Sequence, residues 1–165
     1  MMNLWTALGR LGLAFALGGL IGWEREHEEK PAGLRTFIPV SMGAALFVLT
    51  TLKTVEKAHG LPEVGPTRVD PVCIISSVAQ GIGFLGAGTI LITGGSVLGL
   101  TTAAAIWATS AVGVACGLGL WQLALAGTLL AFVALRVLGP LTPHIGQSTG
   151  KDEPDHSKQL GTTSG

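Results

Sequence analysis

From Pro71 to Leu135 the chain carries no Asp, Glu, Lys or Arg. Sixty-five consecutive uncharged residues cannot make the surface of a domain in water, where roughly a quarter of residues are charged. The whole chain of 165 residues is only 12% charged, and 25 of them are Gly, about twice the usual share. That combination fits helices packed closely in lipid, where Gly is commoner than in soluble helices. Net charge is zero and no basic block occurs, so nucleic acid has no electrostatic footprint here. Cys73 and Cys116 each lie inside apolar runs and read as small buried hydrophobes ahead of a disulfide or a metal pair.

A window near 19 residues finds five apolar segments, at about 4–22, 36–52, 72–92, 98–118 and 120–139. The expected fold is all-α, a polytopic membrane protein of about five transmembrane helices. It occupies residues 1–140, and the polar, aperiodic tail 141–165 is expected to be a disordered cytoplasmic extension. The first run lacks a basic n-region and is followed by Glu24-Arg25-Glu26 where a cleavage site would need small residues, so it reads as an uncleaved span. GLGLWQ at 117–122 leaves room only for a tight turn, and TGGSVLG leaves only a short loop between the third and fourth spans. Placing the N-terminus outside puts Arg25, Lys30, Arg35, Arg136, Lys151 and Lys158 inside, against Lys53, Lys57 and Arg68 outside. This favours an N-out, C-in topology.

Charge is concentrated between Glu24 and Arg35, in the hinge between the first two spans, which must lie at a membrane surface because charge at the bilayer centre is costly. Glu26, His27, Glu28 and Glu29 read as a solvated face. Glu24 adjoins the apolar end, and Pro31 and Gly33 turn the chain back, so an ion pair between Glu24 and Arg35 is expected. Arg10 is the exception within a span. Snorkelling outward is favoured for it over an intramembrane ion pair with Asp70.

GIGFLGAG contains G-x-G-x-x-G at Gly81, Gly83 and Gly86. A dinucleotide site would need a preceding strand and an acidic residue about 20 positions on, and neither is found. Ala79, Gly83 and Ala87 instead form a small-residue stripe for helix packing, repeated by Ala103, Ala111, Ala115 and Gly119 around Trp107. The competing reading is a helix broken by glycines and lining a cavity, as in transporters. Mg²⁺ is weakly supported by the residues themselves: Glu24 and Asp70 fall on opposite sides, and Gln80, Thr89, Thr101 and Thr102 are the polar groups left for a path. No enzymatic site is expected, since all four His lie in loops or tail and no Ser or Cys has a local base. No cofactor is assigned, and whether a metal binds is left open.

GLIGWERE, KPAGLRT, GIGFLGAG and GLTTAAAIWATSAVG, in this order and spacing, resemble the MgtC/SapB family of bacterial inner-membrane proteins over about residues 10–137. The resemblance implies a multi-pass protein linked to survival under Mg²⁺ limitation and, in pathogens, to growth in macrophages. It implies a regulator that binds other membrane proteins, the ATP synthase among them, more than an Mg²⁺ transporter. Carried over by motif, the functional positions are Glu24, Arg25, Gly33, Arg35, Thr36, Asp70, Gly81, Gly83, Gly86, Gly88, Thr101, Thr102 and Trp107. Where the family pattern runs DPxRIAAQ, this chain has Cys73 and Ser77 in place of the Arg and the Gln, which leaves Asp70 without its usual neighbour. The chain also stops about 25 residues after its last span, which reads as a short form without the family's soluble C-terminal domain.

The expected role is thus a non-enzymatic regulator tied to Mg²⁺ homeostasis, and the alternative is a transporter or channel for Mg²⁺ or another small solute. Expected partners are the lipid bilayer, another membrane protein or complex, or a second copy forming a homodimer, and no nucleic acid.

Overall fold

The computed structural model describes residues 3–58, 71–93 and 96–138. They form five helices, α1 (Leu4–His27), α2 (Leu34–Ala58), α3 (Pro71–Gly88), α4 (Leu100–Leu118) and α5 (Trp121–Leu138), with a small hairpin of β1 (Leu91–Thr93) and β2 (Ser96–Leu98) between α3 and α4. The fold is the all-α polytopic membrane architecture expected. α1, α2 and α4 are long and apolar enough to cross a bilayer on length and composition, and α3 and α5 are shorter apolar helices. At 1.5 Å per residue the 18 residues of α5 still reach about 27 Å, near the roughly 30 Å hydrocarbon thickness. The tail 141–165 lies outside the described residues.

Inside-out polarity identifies the solvent. Trp5, Phe47, Phe84, Leu129 and Leu130 are among the large apolar side chains on the outside, whereas the fully enclosed groups include Ser41, Thr109 and Thr128. Thr109 and Thr128 satisfy their hydroxyls within their own helices, donating to the carbonyls of Ala105 and Ala124 at 2.8 Å. In lipid that arrangement costs nothing on the outer face and pairs these two hydroxyls inside, whereas Ser41 Oγ has no hydrogen-bond partner among the described residues.

α1, α2 and α4 form the centre, with α5 against α1 and α4, and α3 chiefly against α4. Their cores meet in three layers: Ile21, Phe37 and Ile106 at the hinge end; Ala14, Ala45, Cys116 and Ala124 toward the other end; and Ala44, Val48 and Val114 between α2 and α4. Small residues let the backbones approach. A Cβ added to Gly18 would lie 2.7 Å from Ser41 Cβ, and one added to Gly117 would lie 2.8 Å from the Ala45 carbonyl. One added to Gly113 would run into the Ser41 carbonyl itself. Ser41 is therefore where three helices converge.

Helix ends follow from local chemistry. α1 closes with the amide of Lys30 on the carbonyl of Arg25 and that of Glu29 on Glu26, a Schellman motif with Glu29 in the left-handed region at φ 53°. α4 closes the same way, Leu120 on Ala115 and Gly119 on Cys116, with Gly119 at φ 82°. The tight turn expected at 117–122 is what forms.

Three expectations change. The third span ends at Gly88, not near 92, because the chain then pairs Leu91, Ile92 and Thr93 with Leu98, Val97 and Ser96 in an antiparallel hairpin, where only a short loop was expected. Two short β-prone runs about Gly94-Gly95 are the signal for it. Arg10 does not simply snorkel: its Nη1 donates to the Gly117 carbonyl at 2.8 Å and its guanidinium lies over Gly119, satisfying the carbonyl end of α4 where cations are favoured. Its proposed partner Asp70 lies outside the described residues. Finally, Cys116 is buried as expected but Cys73 is exposed, and both are free thiols.

Candidate functional site: a buried polar pair at the hinge end

Along α1 the buried positions Ala14, Leu17, Gly18, Ile21 and Gly22 recur at helical spacing, and Glu24 and Arg25 continue that inward stripe beyond the apolar run. They are 5% and 3% exposed, so they belong to the interior and not to the solvated hinge. Arg25 Nη2 donates to Thr102 Oγ1 at 3.4 Å, which ties α1 to the first turn of α4. Among the described residues Glu24 Oε2 and Arg25 Nε find no hydrogen-bond partner. Buried polar atoms are nearly always paired, and an exception at the membrane edge marks a place where a polar group from elsewhere can bind.

The first turn of α4 is set by Gly99, at φ 87° and so close to the Thr89 carbonyl that any side chain would collide with it. Thr89 itself donates to the Gly86 carbonyl at 2.7 Å and closes α3. The end of α3, the hairpin and the start of α4 are thereby locked together beneath Thr102.

Glu26, His27, Glu28 and Glu29 are exposed, as expected of a solvated face, and two of them also make specific contacts. Glu26 Oε2 accepts the Leu34 amide at 2.9 Å and so caps α2, whose first turn also bonds to the Gly33 carbonyl through Thr36 and Phe37. A Cβ at Gly33 would lie 2.7 Å from that carboxylate, so a larger residue there would push the Glu26 side chain off its cap. Glu28 pairs with Arg136 at 3.3 Å and brings the end of α5 to the hinge. Glu26→Ala should destabilise the protein by about 1 kcal/mol, the ordinary worth of a helix N-cap, read as a lower thermal midpoint in detergent. An unchanged midpoint would remove the cap.

The expected Glu24–Arg35 pair does not form: among the described residues no ion pair or hydrogen bond joins them. Glu24 lies on the inward stripe of α1, while Arg35, in the first turn of α2, is exposed. Of the motif positions, the fold brings Glu24, Arg25 and Thr102 together, with Gly33 nearby against Glu26. Thr36 is half-buried, and Thr101 and Trp107 are exposed. A Cβ at Gly86 would lie 3.6 Å from the Ala103 carbonyl, but among the described residues one at Gly81, Gly83 or Gly88 would meet nothing within 4 Å. α3 is continuous through all four glycines, so they do not break it. Asp70 lies outside the described residues. Among the described residues no three His, Cys, Asp or Glu side chains converge as a metal site would require.

Sequence reasoning did not single out Gly18, Gly22, Gly113, Gly117 or Ser41. The signal was there, as Gly-x-x-x-Gly at 18 and 22 and again at 113 and 117. Adjacent glycines and alanines in both helices obscured which face was meant.

A model of a family described as the MgtC family matches residues 11–143. Over 133 residues the chain is 41% identical to a protein of Escherichia coli strain K12 named "Putative magnesium transporter YhiD", covering 81% of this chain and 60% of that protein. It is 41% identical over 140 residues to "Protein SrpB" of Synechococcus elongatus, covering 79% and 74%. It is also 40% identical over 134 residues to "Protein MgtC" of Salmonella typhimurium, covering 81% of this chain and 53% of that protein. The chain thus spans little more than half the length of the YhiD and MgtC relatives it matches. No solved structure matches it.

Proposed function

Because this chain belongs to the MgtC family, we propose that it is an inner-membrane protein of Mg²⁺ homeostasis that works by binding another membrane protein, without enzymatic chemistry. The observation that carries this reading is the outer face of α3. Gly83 and Ala87 are exposed, Ala79 is half-buried, and among the described residues nothing lies within 4 Å of a Cβ at Gly83. The glycines at 18, 22, 113 and 117 serve packing inside the chain, whereas this stripe serves packing against a helix from outside. The N-terminus lies outside and the C-terminus inside. Arg10 beside the end of α4, Arg25 beside its start, and Arg136 beside Glu28 support the alternation of spans that this orientation uses.

The name of the YhiD relative favours the transporter alternative, and one experiment separates the two. Purified protein in liposomes should pass no Mg²⁺ above protein-free vesicles, and a saturable flux would overturn the regulator reading. Gly83→Leu should leave the stability within about 0.5 kcal/mol of wild type, as for a surface position, read from the thermal midpoint. It should also abolish co-purification of a stoichiometric membrane partner. Equal recovery of the partner would remove the α3 face from the interface, and loss of a homodimer instead would make the partner a second copy.

A further inference from the structure

Two helix lengths fix how far the chain between α3 and α4 can stand from the bilayer. α3 has 18 residues and α4 has 19, so neither reaches more than about 29 Å, and a hydrocarbon layer of roughly 30 Å uses all of it. Arg68 and Asp70 precede α3 in the sequence, and charge is costly in hydrocarbon, so α3 starts no deeper than the opposite surface. Any tilt shortens the reach further. The connection to α4 therefore begins in the interfacial layer at the hinge end. The hinge itself differs, because α1 and α2, with 24 and 25 residues, extend about 36 Å and overshoot the hydrocarbon.

The β1–β2 hairpin fills that connection. Leu91 pairs with Leu98 and Ile92 with Val97, on opposite faces of the ribbon, and all four are between 50% and 78% exposed. Residues 89–99 include no Asp, Glu, Lys or Arg, although the hinge at the same end of the bundle concentrates charge. A two-stranded ribbon is marginal in water unless another element covers it, and among the described residues none covers these side chains. Their apolar surface continues that of the spans, through Phe84 and Leu85 of α3 and Leu100 and Trp107 of α4, all exposed. The free outer edges of the strands rule out the hydrocarbon centre, where open sheet edges do not occur, and call for the water and headgroups of the interface. The base of the ribbon is rigid, since Gly99 packs on the Thr89 carbonyl and Thr89 donates to the Gly86 carbonyl at 2.7 Å.

We infer that the β1–β2 hairpin is inserted side-on into the leaflet at the hinge end, at the boundary between headgroups and acyl chains, with Leu91, Ile92, Val97 and Leu98 in contact with lipid. It is a wedge that holds the end of α3 and the start of α4 at a fixed depth. The inference does not depend on the outer stripe of α3 or on the partner proposed for it.

Nitroxide labels at Ile92→Cys and, separately, at Val97→Cys test this, in the whole chain with Cys73→Ser and Cys116→Ala and in vesicles of phosphatidylethanolamine and phosphatidylglycerol. Power saturation with oxygen and with a water-soluble nickel chelate reads the depth of each label. Both should lie about 5–10 Å below the lipid phosphates, the depth of apolar elements seated at this boundary. A label at Phe84→Cys, exposed within α3, should lie deeper, and one at Lys30→Cys, exposed in the hinge, should lie in water above the phosphates. Thermal midpoints report that the labelled variants fold, and either hairpin label decides the matter should the other fail to fold. Hairpin labels as accessible to nickel as the one at Lys30→Cys would put the ribbon in water and overturn the inference. Low accessibility to both oxygen and nickel would also overturn it, because protein, a second copy or a partner, would then cover the ribbon in place of lipid.

Discussion

Gly113→Leu is expected to destabilise the protein by more than about 3 kcal/mol and to abolish recovery of a folded monomer in detergent. Even the first side-chain carbon at this position would run into the carbonyl of Ser41 in α2. Ser41 cannot retreat, because a Cβ at Gly18 of α1 would already lie 2.7 Å from Ser41 Cβ and 2.9 Å from the Phe37 carbonyl on its other side. Relief would require separating α1, α2 and α4 together, which opens all three core layers. Gly12→Leu is the control, since nothing lies within 4 Å of a Cβ there and α1 is exposed at that position. It should be neutral or slightly stabilising, because glycine is a poor helix former. Thermal unfolding followed by far-ultraviolet circular dichroism in detergent compares the two. Similar midpoints for both variants would mean that the helices do not meet at Ser41.

Arg25→Gln should cost about 3 kcal/mol or more, and the double change Glu24→Gln with Arg25→Gln should recover much of that loss. The two residues are adjacent, 5% and 3% exposed, and enclosed at the end of the bundle. Removing the guanidinium leaves a carboxylate in the interior without its compensating charge and breaks the bond to Thr102. Removing both charges takes away the reason for the penalty, and only the weaker loss of polar contacts is left. Thr102→Val separates the two contributions: it deletes the 3.4 Å hydrogen bond and should cost only about 1 kcal/mol. A thermodynamic cycle on the thermal midpoints measures the coupling. If the double variant is as unstable as the sum of its parts, the pair is not coupled and Arg25 contributes by packing alone.

These two predictions concern residues of unequal visibility in sequence. Glu24 and Arg25 stood out as charges at the end of an apolar run, yet the partner expected for Glu24, Arg35, does not bind it, and the partner of Arg25, Thr102, is 77 residues away and uncharged. The inward turn of Glu24 follows from its helical phase with Ile21 and Gly18, which could be read from spacing only once the buried face of α1 was known. Gly113 was harder still. It stands among alanines and glycines on several faces of α4, and a pattern of small residues says that some helix comes close without saying which face receives it.

The sequence by itself determined the solvent, the number of helices and the position of the hinge, because 65 uncharged residues and the spacing of apolar runs leave few other ways to satisfy backbone groups in lipid. It also determined the tight turn before α5, since two residues admit no other connection. Only the tertiary structure decided that Ser41 is the crossing point, that Arg10 caps α4, that Arg25 reaches Thr102, and that Gly81, Gly83 and Gly88 face outward while Gly18, Gly22, Gly113 and Gly117 face in. Each of these depends on the rotation of one helix against another. That rotation is set by side-chain and backbone fit summed over whole faces, and no single residue carries a record of it.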